Sequence, residues 1–208
     1  MGGFFMETNL KANSAKKSKK SKLTVKQLTI VGMLSGISIF LGISKLGFIP
    51  LPTMNATILH LPVIIGGILE GPIVGGLIGL IFGLFSMFQA ISAPTLTSFV
   101  LLNPIIAILP RVLIGVGSYY LYKLLKIKKD TVRISIAAFI GSLINTVGVL
   151  GLSYLFFAEK LSKALGLASN KAAGIFCLTT GLTNGIPEAI VAALIITPIV
   201  IGIKKVKR

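Results

Sequence analysis

The chain has 208 residues, of which 54% are apolar and 12% charged, and its mean hydropathy of +0.94 lies well outside the range of soluble domains. The net charge of +16 does not indicate a nucleic-acid partner, because the basic residues flank apolar segments instead of alternating with aromatic residues on a soluble domain. The sequence therefore predicts an all-α integral membrane protein with a bundle of six transmembrane helices, since the length allows about six.

A basic segment precedes the first apolar run. Residues 1–26 carry seven lysines and are rich in Ser and Asn, a composition typical of a disordered tail. No small-residue cleavage pattern follows, so we expect the apolar run 28–44 to remain as the first helix of one membrane domain, residues 27–208. In this helix Gly32 and Gly36 lie one turn apart and allow close approach of another backbone, either within the bundle or from a partner protein.

The second apolar run, 58–69, is too short to cross a ~30 Å hydrocarbon core without flanking residues. Two prolines stiffen the loop before it, where Asn55, Thr57 and His60 bring hydrogen-bonding groups to the predicted outer surface of the membrane. Asn55 and His60 are therefore candidate substrate-binding residues. Asn55 and Thr57 could alternatively cap the short helix. His60 has no second ligand at metal spacing, so the sequence predicts no metal site.

A ridge of glycines spaced four residues apart begins just before the third run, 72–90, and continues along it: Gly71, Gly75, Gly79 and Gly83. Such a ridge lets another helix backbone approach closely. Because glycine ridges are common between helices of one membrane bundle, the spacing favours packing within this chain over a partner interface.

Two ionisable residues are isolated inside the last three apolar runs, which span residues 101–122, 134–158 and 172–203. Arg111 and Glu188 each stand far along the chain from any other charge. Ions inside apolar membrane segments are costly and usually face a site or a partner. The two residues therefore predict a functional cavity, with a purely structural ion pair between them as the alternative.

Asparagines accompany these ions at Asn103, Asn145 and Asn184. Asn184 and Glu188 share one helix face because they are four residues apart, and Pro187 frees a backbone carbonyl about one turn earlier. The amides either belong to the predicted site or bridge helices.

No enzyme is predicted. The chain lacks a phosphate-binding G-x-x-x-x-G-K-[ST] loop and the H-E-x-x-H and G-x-S-x-G motifs, so we expect no ATP hydrolysis by the chain itself. Cys177 is the single cysteine and suits neither an internal disulfide nor a zinc site. No cofactor is expected.

Basic residues near the helix ends predict the orientation. With six spans both termini share one side, and that side receives sixteen Lys and Arg residues in the tail, around residues 123–133 and at the C-terminus. The other side receives four, which are Lys45, Lys160, Lys163 and Lys171. Because cytoplasmic loops carry the excess of Lys and Arg, both termini are predicted to be cytoplasmic.

Several segments resemble the substrate-binding S components of bacterial energy-coupling factor (ECF) vitamin transporters. They are Pro50-Leu-Pro-Thr-Met-Asn-Ala-Thr, His60-Leu-Pro-Val-Ile-Ile-Gly, Glu70-Gly-Pro, Ala93-Pro-Thr-Leu-Thr-Ser, Asn145-Thr and Asn184-Gly-Ile-Pro-Glu. The resemblance covers essentially everything after the tail and is strongest to the pantothenate branch.

The resemblance implies a six-helix vitamin-binding protein of the bacterial cell membrane that docks on a transmembrane coupling protein driven by two ATPase subunits. Docking in that family uses two small residues, typically Ala, four apart in the first helix. Gly32 and Gly36 match those positions with Gly in place of Ala.

The resemblance to the pantothenate branch makes pantothenate the preferred ligand, which is an anion with hydroxyl and amide groups. A buried Arg111 with Asn103, Asn145 and Asn184 suits it chemically. Riboflavin or another vitamin is the alternative within this class, and a stand-alone carrier without ATPases is the alternative outside it. An intramembrane enzyme is the most distant possibility, because the sequence supplies neither a nucleophile nor a metal set.

Overall fold

The computed structural model describes residues 23–50 and 55–206, the side chains of residues 49, 50, 55 and 56 excepted. Most of the predicted tail lies outside these residues. The described helices are α1 (Val25–Ile43), α2 (Leu61–Glu70), α3 (Pro72–Ser92), α4 (Ser98–Leu101), α5 (Pro104–Leu124), α6 (Asp130–Ala164), α7 (Asn170–Thr180) and α8 (Ile186–Val206). A π-helical turn, Gly181–Gly185, joins α7 to α8.

Five helical segments in the described part of the chain are long and apolar enough to cross a membrane: α1, α3, α5, α6 and the continuous segment Asn170–Val206. They match five of the six predicted runs to within a few residues. The run 134–158 ends beside Phe157, where α6 kinks and continues to Ala164. At the N-terminus, Thr24 and Gln27 form a reciprocal capping box, so Lys26, assigned to the tail on sequence, lies in the first turn of α1.

The second predicted run forms the short helix α2, which begins at Leu61 instead of residue 58. Its ten residues span about 15 Å, half of a ~30 Å hydrocarbon core. A few residues before it, strands β1 (Phe48–Pro50) and β2 (Asn55–Thr57) pair as an antiparallel hairpin. This hairpin was not predicted.

Three of the four glycines in the predicted ridge pack α3 against α5, which confirms the packing interpretation for them, whereas a Cβ added at Gly71 would meet no atom within 4 Å. Gly75 meets Gly115, Gly79 meets Arg111 and Gly83 meets Ala107, in each case at the backbone. The partners on α5 also recur every four residues and in reverse order, so the two helices run antiparallel in close contact. The ridge therefore fixes the depth at which α5 places Arg111.

Replacing Gly79 with Ala should reduce the free energy of unfolding by about 1–3 kcal/mol, the usual cost of overpacking a close contact. The added Cβ would collide with the Arg111 carbonyl group and lie 3.0 Å from Val112 Cα. Gly76→Ala is the matched control, since its Cβ would meet the Val116 side chain at an ordinary 3.5 Å. Thermal melts of the purified variants measure both, and equal melting temperatures would contradict the predicted difference.

The remaining long helices also alternate in direction. α5 and α6 run antiparallel, as do α6 and α8. The contacts that show this are Pro110 with Gly148 and Ser118 with Gly141 between α5 and α6, and Ser135 with Thr197 and Thr146 with Gly185 between α6 and α8. α1 runs parallel to α3, because Leu34 and Ile78 meet at Gly66 and, farther along both helices, Gly42 lies beside Phe85.

A charged cluster ties together the end of the bundle where α5 ends, α6 begins and α8 ends. Asp130 accepts hydrogen bonds from Tyr122 (2.6 Å) and Lys204 (3.0 Å), and Arg133 lies 3.6 Å from the same carboxylate. The helix directions place the start of α1 at this end too. Both described ends of the chain therefore lie at one end of the bundle.

Candidate functional site

Arg111 is buried in α5 directly after Pro110, which lies inside the helix. Because Pro110 has no N–H, the Ile106 carbonyl lacks its usual helical donor. The Arg111 guanidinium supplies one, since Nη1 donates to Ile106 O at 2.8 Å. The guanidinium also lies 5.7 Å from the centroid of the Phe82 ring.

One donor of this guanidinium remains unused. Arg111 Nε is buried and has no hydrogen-bond partner. No salt bridge joins Arg111 to any carboxylate among the described residues. A buried cation with an unused donor is costly, so this arrangement is suited to receive an anionic or hydrogen-bond-accepting group.

Arg111 lines a cavity of about 850 Å³ bordered by the segment after α3, the short helix α4, and α5, α6 and α7. Ser153 and Thr180 add hydroxyl groups to a wall that is otherwise mostly apolar, formed by residues such as Val149 and Leu161. The volume lies within the range of pockets that hold small molecules. Among the described side chains, Arg111 is the one predicted site residue that lines this cavity.

Glu188 does not pair with Arg111. Its Oε1 accepts a hydrogen bond from the Thr57 backbone N–H at 2.6 Å and lies 3.3 Å from the Thr57 hydroxyl. Thr57 therefore contacts α8 and does not cap α2. The N-cap position of α2 is occupied by His60, which makes no side-chain capping hydrogen bond. The structural alternative of an Arg111–Glu188 ion pair is not formed.

The last residue of the hairpin and the segment after it form hydrogen bonds with three helices. Ser38 of α1 donates to the Leu59 carbonyl at 3.1 Å, and His60 Nε2 is hydrogen-bonded to Ser142 of α6 at 2.9 Å. Glu188 of α8 holds Thr57. His60 is completely buried, so it lies inside the bundle instead of at the predicted outer surface.

The three asparagines differ in environment. Asn145 and Asn184 each have a buried Oδ1 without a hydrogen-bond partner. Asn145 precedes Thr146 and Asn184 precedes Gly185, and Thr146 and Gly185 lie in contact. Asn103 instead caps α5 by accepting from the Ile105 N–H at 3.0 Å. The side chain of Asn55 lies outside the described residues. The predicted residues thus have separate environments. Arg111 lines the cavity, Glu188 is bonded to Thr57, His60 is bonded to Ser142, and Asn103 caps a helix.

Comparison with known proteins identifies the family to which this chain belongs. Residues 26–200 match the family model described as "ECF transporter, substrate-specific component". The chain belongs to this family. It is a multi-pass membrane protein of the bacterial cell membrane.

Curated relatives of this ECF substrate-specific component carry transporter names. The chain is 34% identical over 172 residues to "Pantothenic acid transporter PanT" of Lactococcus lactis subsp. cremoris (strain MG1363), a match covering 76% of this chain and 82% of that protein. It is also 34% identical over 139 residues to "Pantothenate transporter PanT" of Leuconostoc mesenteroides subsp. mesenteroides, which covers 62% of this chain and 68% of that protein.

The ECF component has an open apolar face on α1. A Cβ added at Gly32 or Gly36 would meet no atom within 4 Å. Met33, Ile37 and Phe40 are exposed on the same helix, whereas Val31, Ser35 and Ser38 are buried. The structure therefore leaves the predicted docking residues accessible to a partner helix.

Sequence reasoning did not identify Phe82, Ser142, Ser153 and Thr180 as parts of the site. Single serines, threonines and phenylalanines are ordinary in membrane helices, so none gives a signal by itself. The one usable signal was Pro110 before Arg111, because a proline in a helix frees a carbonyl that a neighbouring donor can occupy.

Proposed function

We propose that this chain binds pantothenate in the Arg111 cavity and delivers it as the substrate-specific subunit of an ATP-driven ECF transporter. The observation that carries the proposal is the buried Arg111 guanidinium, which has an unused donor, lines the cavity and lacks a salt bridge among the described residues. The printed names of the two relatives support the choice of vitamin.

The charge distribution suits an anion. Arg111 brings a positive charge to the cavity wall, whereas Glu188 is turned toward Thr57 and does not line the cavity. Pantothenate carries one carboxylate together with hydroxyl and amide groups. Its carboxylate would accept a charge-assisted hydrogen bond from Arg111, and Ser153 and Thr180 offer hydroxyls for the polar remainder.

Mass spectrometry of small molecules retained by the purified full chain tests the ligand. We expect pantothenate to be retained and then displaced by added isotope-labelled pantothenate. Retention of riboflavin or another vitamin in its place would contradict the assignment while leaving family membership intact.

We further propose that the chain has no ATPase activity and docks through α1 on a transmembrane coupling protein that two ATPase subunits drive. Gly32 and Gly36 support this because they make a smooth strip on an exposed apolar helix. Copurification of the chain with ATPase subunits distinguishes this assembly from a stand-alone carrier.

We also propose that both termini face the cytoplasm, with the half-length α2 and its preceding segment completing six passages through the membrane. The alternating helix directions and the sixteen-to-four distribution of basic residues support this orientation. In a Cys177→Ala background, a membrane-impermeant thiol reagent added outside should label Lys163→Cys and spare Lys128→Cys. The reverse labelling pattern would contradict the orientation.

A further inference from the structure

A second cavity lies on the outside of the bundle, between α6 and the continuous segment α7–α8. It encloses about 700 Å³. On the α7–α8 side it extends from Lys171 to Ile186, about 22 Å at ~1.5 Å per residue. It is separated from the Arg111 cavity by Leu150 and Cys177, which line both. We call this second cavity the α6–α7 groove.

Glycines give the α6–α7 groove its depth. A Cβ at Gly151 would meet no atom within 4 Å, and one at Gly181 would meet only Leu150, at 3.5 Å. Exposed apolar side chains border these glycines, including Val147, Leu178 and Leu182. In a membrane-spanning protein such a surface faces acyl chains, so the groove is a recess open to lipid.

The dimensions suit an acyl chain. A single methylene chain is about 4 Å across at van der Waals contact, and a recess of about 700 Å³ that extends about 22 Å along α7–α8 has room for one. The length exceeds the ~15 Å that one leaflet contributes to a ~30 Å hydrocarbon core, so the recess can follow such a chain across its leaflet. The charge at one end of the groove favours a lipid over a partner helix.

One end of the groove is basic. Lys171 is exposed there and has neither a salt bridge nor a hydrogen bond to another side chain among the described residues. Glu159, near the end of α6, is already engaged by Lys163 at 2.7 Å. Tyr154 also lines the groove and carries a phenolic hydroxyl. A phosphate group at this end would find an uncompensated cation and a hydroxyl donor.

We propose that the α6–α7 groove binds one anionic phospholipid, with an acyl chain along the glycines and the phosphate at Lys171. The site lies at the end of the bundle opposite the described chain ends, which places the lipid in the outer leaflet under the orientation proposed above. Lipid binding itself depends neither on that orientation nor on the identity of the vitamin.

Native mass spectrometry of the full chain tests the proposal, with phosphatidylglycerol and phosphatidylcholine of identical acyl chains as probes. We expect wild-type protein to bind one phosphatidylglycerol about fivefold more tightly than phosphatidylcholine, the discrimination expected of one lysine near an anionic headgroup. Gly151→Phe should lose this lipid. Gly202→Phe is the matched control, because Gly202 is also an exposed helical glycine with no atom within 4 Å of an added Cβ.

The charge is tested separately. Lys171→Gln should bind the two lipids equally, whereas Lys160→Gln, at the same end of α6 but outside the groove, should keep the preference of the wild type. If Gly151→Phe retained as much lipid as Gly202→Phe, the assignment of the lipid to the α6–α7 groove would be overturned. An unchanged preference in Lys171→Gln, or none in the wild type, would overturn the anionic headgroup assignment. If a thermal melt shows that Gly151→Phe is not folded, the comparison of Lys171→Gln with Lys160→Gln still tests the proposal.

Discussion

Replacing Arg111 with Gln should weaken pantothenate binding by about 1.5–3 kcal/mol, the value of a hydrogen bond to a charged group. This corresponds to roughly a 10- to 150-fold rise in Kd. The physical reason is the loss of the buried guanidinium that lines the cavity. Equilibrium titration of purified wild-type and variant protein measures the change.

An uncharged analogue separates the role of charge from that of shape. An alcohol in place of the pantothenate carboxylate should lose much less affinity on going from wild type to Arg111→Gln. Equal losses for the acid and the alcohol would show that Arg111 does not hold the carboxylate.

Glu188 provides a second control. Because Glu188 is bonded to Thr57 and not to Arg111, adding Glu188→Gln to Arg111→Gln should restore neither affinity nor melting temperature. Had the two formed a buried pair, removing both charges would relieve the cost of stranding one. Restored affinity in the double variant would defeat the anion-binding role.

Replacing Gly36 with Leu should abolish transport while leaving vitamin binding unchanged. Gly36 lies on the open face of α1, where an added side chain meets no atom of this chain within 4 Å but would hold a partner backbone away. The variant should therefore fold and bind the vitamin, yet fail to copurify with the coupling protein. Uptake and binding are measured on the same preparations.

Gly202→Leu is the control for added bulk on an exposed membrane helix. Gly202 is exposed on α8, and a Cβ there also meets no atom within 4 Å. It should transport like the wild type. Wild-type transport by Gly36→Leu would remove α1 from the docking surface, and reduced vitamin binding would show that the change damages the fold instead.

The long helices could be predicted because hydropathy depends on local sequence. Apolar runs of about 20 residues must satisfy their backbone polar groups internally, so each becomes a helix. The packing of the ridge of Gly75, Gly79 and Gly83 could also be predicted, because glycines four residues apart share one helix face and allow close backbone contact there. Its match with Gly115, Arg111 and Ala107 confirmed the packing interpretation.

The hairpin and the partners of the polar residues could not be predicted in the same way. Phe48 pairs with Thr57 in the antiparallel hairpin, and no strong strand pattern marks three-residue strands. Thr57 meets Glu188 across 131 positions of sequence. Such contacts follow from how the helices pack, so the residue types identified Arg111 and Glu188 as unusual without showing which group each one faces.

Uptake of labelled pantothenate into proteoliposomes tests the proposed function most directly. The vesicles should contain this chain with or without its coupling protein and ATPase subunits. We predict uptake that requires the complete assembly and ATP, is not competed by riboflavin, and falls with Arg111→Gln at subsaturating pantothenate. Uptake by the chain alone, or uptake of riboflavin but not pantothenate by the complete assembly, would contradict it.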